Sequence, residues 1–156
     1  MKIREVELRD VKQVAKIMDQ VQKLHCKNRP DIFKERTIDE LEKQVIETIN
    51  ENENVIIVAE NDSQEIVGIL KYKIRIIEEG SRPNLKPNSI LSISELGVEE
   101  SWRGKGIGRQ LMNEAENIKR RLGCERLELN CWSFNEKAME FYASCGMKIQ
   151  RVFLEK

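Results

Sequence analysis

The segment from Ser94 to Ala115, "SELGVEESWRGKGIGRQLMNEA", sets Gly104, Gly106 and Gly108 among Arg103, Lys105 and Arg109. An apolar helical pattern follows at once. The first turn of a helix exposes unpaired N–H groups and carries partial positive charge. Glycines let an anion approach that backbone, because no Cβ stands in the way. The residue types suit a pyrophosphate, and equally a tight strand-to-helix turn. Two well-known phosphate loops are excluded by spacing. G-x-G-x-x-G needs a third glycine where Arg109 stands. G-x-x-x-x-G-K-[ST] needs a glycine at Glu99 and a hydroxyl residue at Gly106.

Other reactive residue types are sparse. Cys26, Cys124, Cys131 and Cys145 form no C-x-x-C pair, and His25 is the only histidine. That spacing predicts no zinc site and no metal. The thiols are expected to be reduced and to pack as small apolar residues. His25, with Arg29, Pro30 and Phe33, is either a candidate base or a surface or capping group. Cys131 has no histidine placed by sequence to activate it, so an acyl-cysteine is not expected.

These residues must be held by a scaffold, and the apolar periodicity outlines one. "KIREVEL" reads as a first strand. Val11, Val14, Ile17, Met18, Val21 and Leu24 follow a helical rhythm, with Asp10 as a possible cap and Pro30 beyond the end. Thr37 and Glu40 form a capping box before Leu41, Val45, Ile46 and Ile49. "NVIIVAE" and "EIVGILKYKIRII" read as two strands joined by the turn "NDSQ". After the loop "EEGSRPNLKPNS" comes the strand "ILSISELGV". Ile107, Leu111, Ala115, Ile118 and Leu122 make a helix stopped at Gly123. "CERLELNCW" is a strand, "NEKAMEFYASCG" a helix and "MKIQRVFLE" a final strand. The order is β-α-α-β-β-β-α-β-α-β. It predicts an α/β or α+β fold with a mixed sheet, because strand–loop–helix–strand demands a locally parallel pair.

The chain has 156 residues, with 27 Lys and Arg against 27 Asp and Glu. This length suits one domain over residues 1–156. Balanced charge excludes a global field for nucleic acid or membrane, so any anion site must be local. The charged N-terminus is unlike a signal peptide, and no apolar run approaches a membrane span. A cytoplasmic location is expected, as monomer or homodimer.

"RGKGIG" matches the R/Q-x-x-G-x-G/A loop of the GNAT superfamily of N-acetyltransferases at Arg103, Gly106 and Gly108. "NEKAMEFYASCGM" resembles that family's N-x-x-A-x-x-F-Y-x-x-x-G-F segment at Asn135, Ala138, Phe141, Tyr142 and Gly146, with Met147 replacing phenylalanine. The two motifs cover roughly residues 89–154.

The resemblance implies acetyl transfer from acetyl-coenzyme A to an amine, with a splayed central parallel strand pair forming the slot. The pyrophosphate would lie on Arg103, Gly104, Lys105, Gly106, Ile107 and Gly108, with Arg109 and Asn135 nearby. The strand at Leu96, Gly97 and Val98 would pair with the pantetheine arm. Gly97 suits the family's bulge there, and a bare amide beside it could meet the thioester oxygen. Tyr142 falls at the family's acid position; its alternative is an amphipathic core residue. Glu95 adjoins the splayed region, as a base for the amine or as a solvated strand charge. Asn130 stands where members that acetylate a ribosomal protein N-terminus commonly carry glutamate, which weakens that assignment. The acceptor is expected to be a primary amine of a small molecule or peptide. The competing reading is a catalytically silent acyl-coenzyme A-binding or regulatory module.

Overall fold

The computed structural model describes residues 1–51, 53–81 and 83–156. The elements run β1 (Lys2–Glu5), α1 (Val11–Asn28), α2 (Ile38–Glu51), β2 (Val55–Glu60), β3 (Ile66–Ile77), β4 (Asn88–Val98), α3 (Ile107–Arg121), β5 (Arg126–Leu129) and α4 (Glu136–Ser144). The strands form one sheet in sequential order, β1-β2-β3-β4-β5. The first three pairings are antiparallel and β4–β5 is parallel, as the crossover through α3 requires. Arg82, in the loop between β3 and β4, lies outside the described residues.

Each face of the sheet buries its own core. Val14, Ala15, Ile17 and Met18 of α1 and Leu41 and Val45 of α2 pack on Ile56, Val58, Ile66 and Ile69. Ile107, Leu111, Ala115 and Ile118 of α3 pack on Leu70, Tyr72, Leu91 and Ile93. These are the helical and strand positions that periodicity selects. The α2 capping box closes as expected. Thr37 N donates to Glu40 Oε2 at 2.7 Å, and Glu40 N to Thr37 Oγ1 at 3.2 Å.

Two expectations need correction. Asp10 does not cap α1 with its side chain. It lies in a 3-10 turn at Leu8–Asp10, accepts from Arg4 at 2.6 and 3.0 Å, and takes Glu7 N at 2.8 Å. A buried carboxylate finds a stronger partner in a guanidinium than in helix amides. The tenth element is also absent: residues 147–156 form no strand. Val152, Phe153 and Leu154 are consecutive, so no alternation assigns them to one sheet face, and they are 72%, 92% and 85% exposed. The parallel pair therefore lies at the sheet edge instead of its centre.

Candidate active site

The site begins where one strand loses a neighbour. From Ile90 to Ile93, β4 is paired on both sides, with β3 and with β5. The last parallel partners are Ile93 and Leu129. Ser94 is then left over, because Tyr72 pairs with Ile93 and Lys71 with Glu95. This single bulged residue bends the strand just where β5 departs. Beyond it, Glu95 to Val98 pair with β3 alone. One side of β4 is thus left without a strand partner from Glu95 onward, as the expected slot beside the parallel pair would require.

The bulge is at Ser94, not at Gly97 as expected. Gly97 sits in regular register opposite Ile69. A Cβ on Gly97 would lie 2.8 Å from Ile17 Cγ2 and 3.0 Å from Val21 Cγ2. Glycine there lets α1 cross the strand closely.

Alternation sorts the open half of β4. Leu96 and Val98 pack toward the α3 face. Glu95 is on the other face, opposite Lys71, whose Nζ donates to Thr48 Oγ1 of α2 at 3.3 Å. Burial pushes the Glu95 carboxyl up to about 7, against the pull of Lys71 and Arg36. Burial also lowers Lys71 from its ordinary value, while Glu95 opposes that. A carboxyl near 7 shares its time between acid and base at neutral pH.

The loop after β4 shows two uses of glycine. Gly104 and Gly106 have φ of +75° and +80°, a region that side chains rarely adopt, and a Cβ at either would meet nothing within 4 Å. Both face open space at the start of α3, which has no side-chain cap. An anion is a fitting partner for such amides. Gly108 does something else. A Cβ there would lie 3.1 Å from Phe141 Cζ, so this glycine seats α3 against α4.

The three cations brace this loop. Arg103 Nε donates to Val98 O at 3.1 Å. Lys105 Nζ stands 4.5 Å from the Trp102 ring centroid. Arg109 reaches Ser144, donating to Oγ at 2.9 Å and to the carbonyl at 3.2 Å. Their charge is thus held beside the loop.

Asn135 caps α4, accepting from Ala138 N at 3.3 Å. The helix carries Phe141 and Tyr142 onto the α3 side, with ring centroids 5.3 Å apart. Burial pushes the Tyr142 phenol up to about 12, and Cys131 and Cys145 add to the shift. It is a protonated donor at neutral pH. Burial also raises the Cys131 thiol, which opposes a thiolate role. Among the described residues, no group of three or more His, Cys, Asp or Glu is gathered as a metal site. None of the four cysteines is bridged; Cys124 is buried and the other three half-buried. Among the described residues, no helix is long and apolar enough to cross a membrane.

One feature was hidden in the sequence. His25 and Phe33 meet Phe134 and Trp132 in an aromatic cluster, with neighbouring ring centroids 5.0 to 5.9 Å apart. His25 Nδ1 is 2.8 Å from Val21 O, which holds the ring on α1. The sequence reading carried the strand through Trp132, but β5 ends at Leu129, which releases Trp132 and Phe134 from the sheet to meet α1 and its following loop.

Comparison with known proteins agrees with this geometry. The model of the acetyltransferase (GNAT) family matches residues 18–147. An uncharacterized N-acetyltransferase of Lactobacillus delbrueckii subsp. lactis is 32% identical over 83 residues, 53% of this chain and 46% of that one. Mycothiol acetyltransferase of Propionibacterium freudenreichii subsp. shermanii is 27% identical over 94 residues, 60% of this chain and 28% of its own. The chain therefore spans half or less of the length of these curated relatives. The BH1408 protein of Bacillus halodurans, in a tetramutant form, superposes with a TM-score of 0.93 at 27% identity, covering 100% of this chain and 99% of that one. Arabidopsis thaliana glucosamine-6-phosphate N-acetyltransferase shares the fold, with a TM-score of 0.71 at 21% identity over 99% and 96% of the two chains. Matched across most of its length by that family model, and carrying the bulged β4 strand and the glycine loop, the chain belongs to the GNAT acetyltransferase family.

Proposed function

We propose that this enzyme passes the acetyl group of acetyl-coenzyme A directly to a primary amine of a small molecule or peptide, in the slot between β4 and β5. The observation that carries the proposal is the Ser94 bulge. It leaves one side of β4 from Glu95 to Gly97 without a strand partner, and the chain then runs through a 3-10 turn at Glu100–Trp102 and the glycine loop to the uncapped start of α3. An extended pantetheine arm can pair with that strand as an added strand does. Its pyrophosphate end would rest on the amides from Gly104 to Gly108, where no Cβ intrudes at Gly104 or Gly106.

The chain's residues then divide the proton work. An amine with an ordinary pKa near 10 is mostly protonated and must lose a proton before it attacks. Glu95, raised to about 7, takes that proton directly or through water. The amine nitrogen forms a bond to the thioester carbon, and an unpaired β4 amide meets the oxygen as its charge grows. When the C–S bond breaks, the Tyr142 hydroxyl gives the leaving sulfur a proton, and the surplus proton on the newly acylated nitrogen passes through water to restore the phenol. No enzyme nucleophile is required.

A panel of primary amines, with thiol release from acetyl-coenzyme A as readout, tests the proposal. Saturable release with at least one amine is expected. Gly106→Asp should abolish saturable cofactor binding in calorimetry, since it adds a negative charge and a side chain at φ +80°. Cofactor binding without release on any amine would favour a silent acyl-coenzyme A-binding module.

A further inference from the structure

The last turns of α1 reach from β4 to the segment after β5. Val21 lies against Gly97 on β4, and one turn later His25 meets Phe134 edge to face. The aromatic cluster therefore adjoins the open end of the slot. Arg29, at the end of α1, lays its guanidinium 5.5 Å from the Trp132 ring centroid. Both edges of that guanidinium hold a carboxylate. Asp31 takes Nε and NH2 at 2.9 and 2.7 Å. Two residues away along the chain, it orients the group. Glu155, from the far end of the sequence, takes NH1 at 2.6 Å and NH2 at 3.2 Å.

The second pair is a two-point fork made by a tail that has no regular secondary structure. A planar guanidinium stacked on an aromatic face and oriented along one edge is pre-organised for a carboxylate on the other. Glu155 is more than half exposed, at 59%, whereas Arg29 is 23% exposed. Glu155, the more exposed partner and outside any helix or strand, is the one that can leave.

Resting on the acetyl-transfer reading above, we propose that Arg29 on Trp132 is the carboxylate subsite for the acceptor. The acceptor class is an amine that carries a carboxylate and a flat apolar group. The carboxylate takes the place of Glu155, and the flat group lies against His25, Phe33 and Phe134. Glu155 fills the subsite when no acceptor is bound and competes with it.

Calorimetry with phenylalanine and with phenethylamine, which lacks the carboxylate, tests this without any acetyl transfer. Phenylalanine should bind the wild-type protein more tightly than phenethylamine does. Arg29→Met should weaken phenylalanine binding about ten- to a hundred-fold, the range for a lost charge-assisted pair. Arg29→Lys should restore only part of it, because charge returns without the fork. Glu155→Gln should tighten phenylalanine binding and leave phenethylamine unchanged. Melting temperatures of the variants show that each is folded. In steady-state assays Arg29→Met should raise KM for phenylalanine with kcat little changed. Equal binding of the two ligands, an Arg29→Met protein that binds phenylalanine as well as wild type, or a Glu155→Gln protein with unaltered affinity would each overturn the subsite. If phenylalanine binds as described while thiol release fails on every amine, the acetyl-transfer proposal falls and the carboxylate site stands.

Discussion

The two halves of β4 are built from one continuous strand yet have opposite physical characters. Ile90, Leu91 and Ile93 are paired on both sides and at most 4% exposed. Glu95 to Val98 are paired on one side and include a carboxylate and a glycine. A single unpaired residue, Ser94, separates them. The difference teaches that this chain places stability and reactivity in sequence along one strand. The closed half anchors the sheet, and the open half keeps backbone amides and a high-pKa carboxyl available.

The strongest separation of the halves comes from Tyr142→Phe, which touches only the chemistry of the open side. The ring and its packing stay, and the proton donor goes. A loss of about 10²–10⁴-fold in kcat is expected where chemistry limits the rate, with acetyl-coenzyme A affinity in calorimetry nearly unchanged. Wild-type turnover in that variant would remove Tyr142 from the mechanism.

Leu91→Ala strikes the closed half instead. Leu91 is fully buried, so truncation should cost about 2–5 kcal/mol of stability in denaturant unfolding. Turnover per folded molecule should stay near wild type. A selective loss of kcat at intact stability would erase the division between the halves.

Gly97→Ala tests whether the open half still needs close packing behind it. The added Cβ meets two α1 methyl groups within 3.0 Å, and a cost of about 1–3 kcal/mol is expected. Thermal unfolding reads it, and an unchanged Tm would show that α1 shifts freely.

The smallest effect belongs to Glu95→Gln, and its sign is informative. The folded carboxyl titrates at about 7, above its ordinary value of 4.5. The folded state therefore binds this proton more tightly than the unfolded state does. The contribution to stability is full below about 4.5 and fades as pH rises through 7. For a partly accessible group the loss is about 1–2 kcal/mol. Glu95→Gln should flatten stability between pH 4.5 and 8. The same variant should lose the acidic limb of the pH–rate profile. A limb that persists would leave water or His25 to take the amine proton.

Local chemistry made much of this protein readable in advance. The 3.6 period named most of the buried positions of α1, α2 and α3, because one face of each helix must leave water, although Leu24, Ile46 and Leu122 are exposed. The Thr37–Glu40 box is contained in four residues, so its outcome was local too. The glycine loop was legible because spacing and charge lie side by side in the chain. What depended on distant partners was not. Asp10 reads as a cap until Arg4 arrives from the adjoining strand. Gly97 reads as a bulge until α1 is seen crossing it, and Gly108 as an anion cradle until Phe141 packs beneath it. The bulge at Ser94 follows from the register between β3 and β4, which no single strand encodes. The last strand failed because its apolar residues run consecutively and choose no face. The cluster of His25, Phe33, Trp132 and Phe134 forms only when α1, its following loop and the end of β5 converge. Sequence by itself determined nine of the ten expected helices and strands and the family, because these rest on neighbours a few residues apart. Only the tertiary structure decided where the strand opens, which face Glu95 takes and what surrounds Arg29, because each is a meeting of segments far apart in the chain.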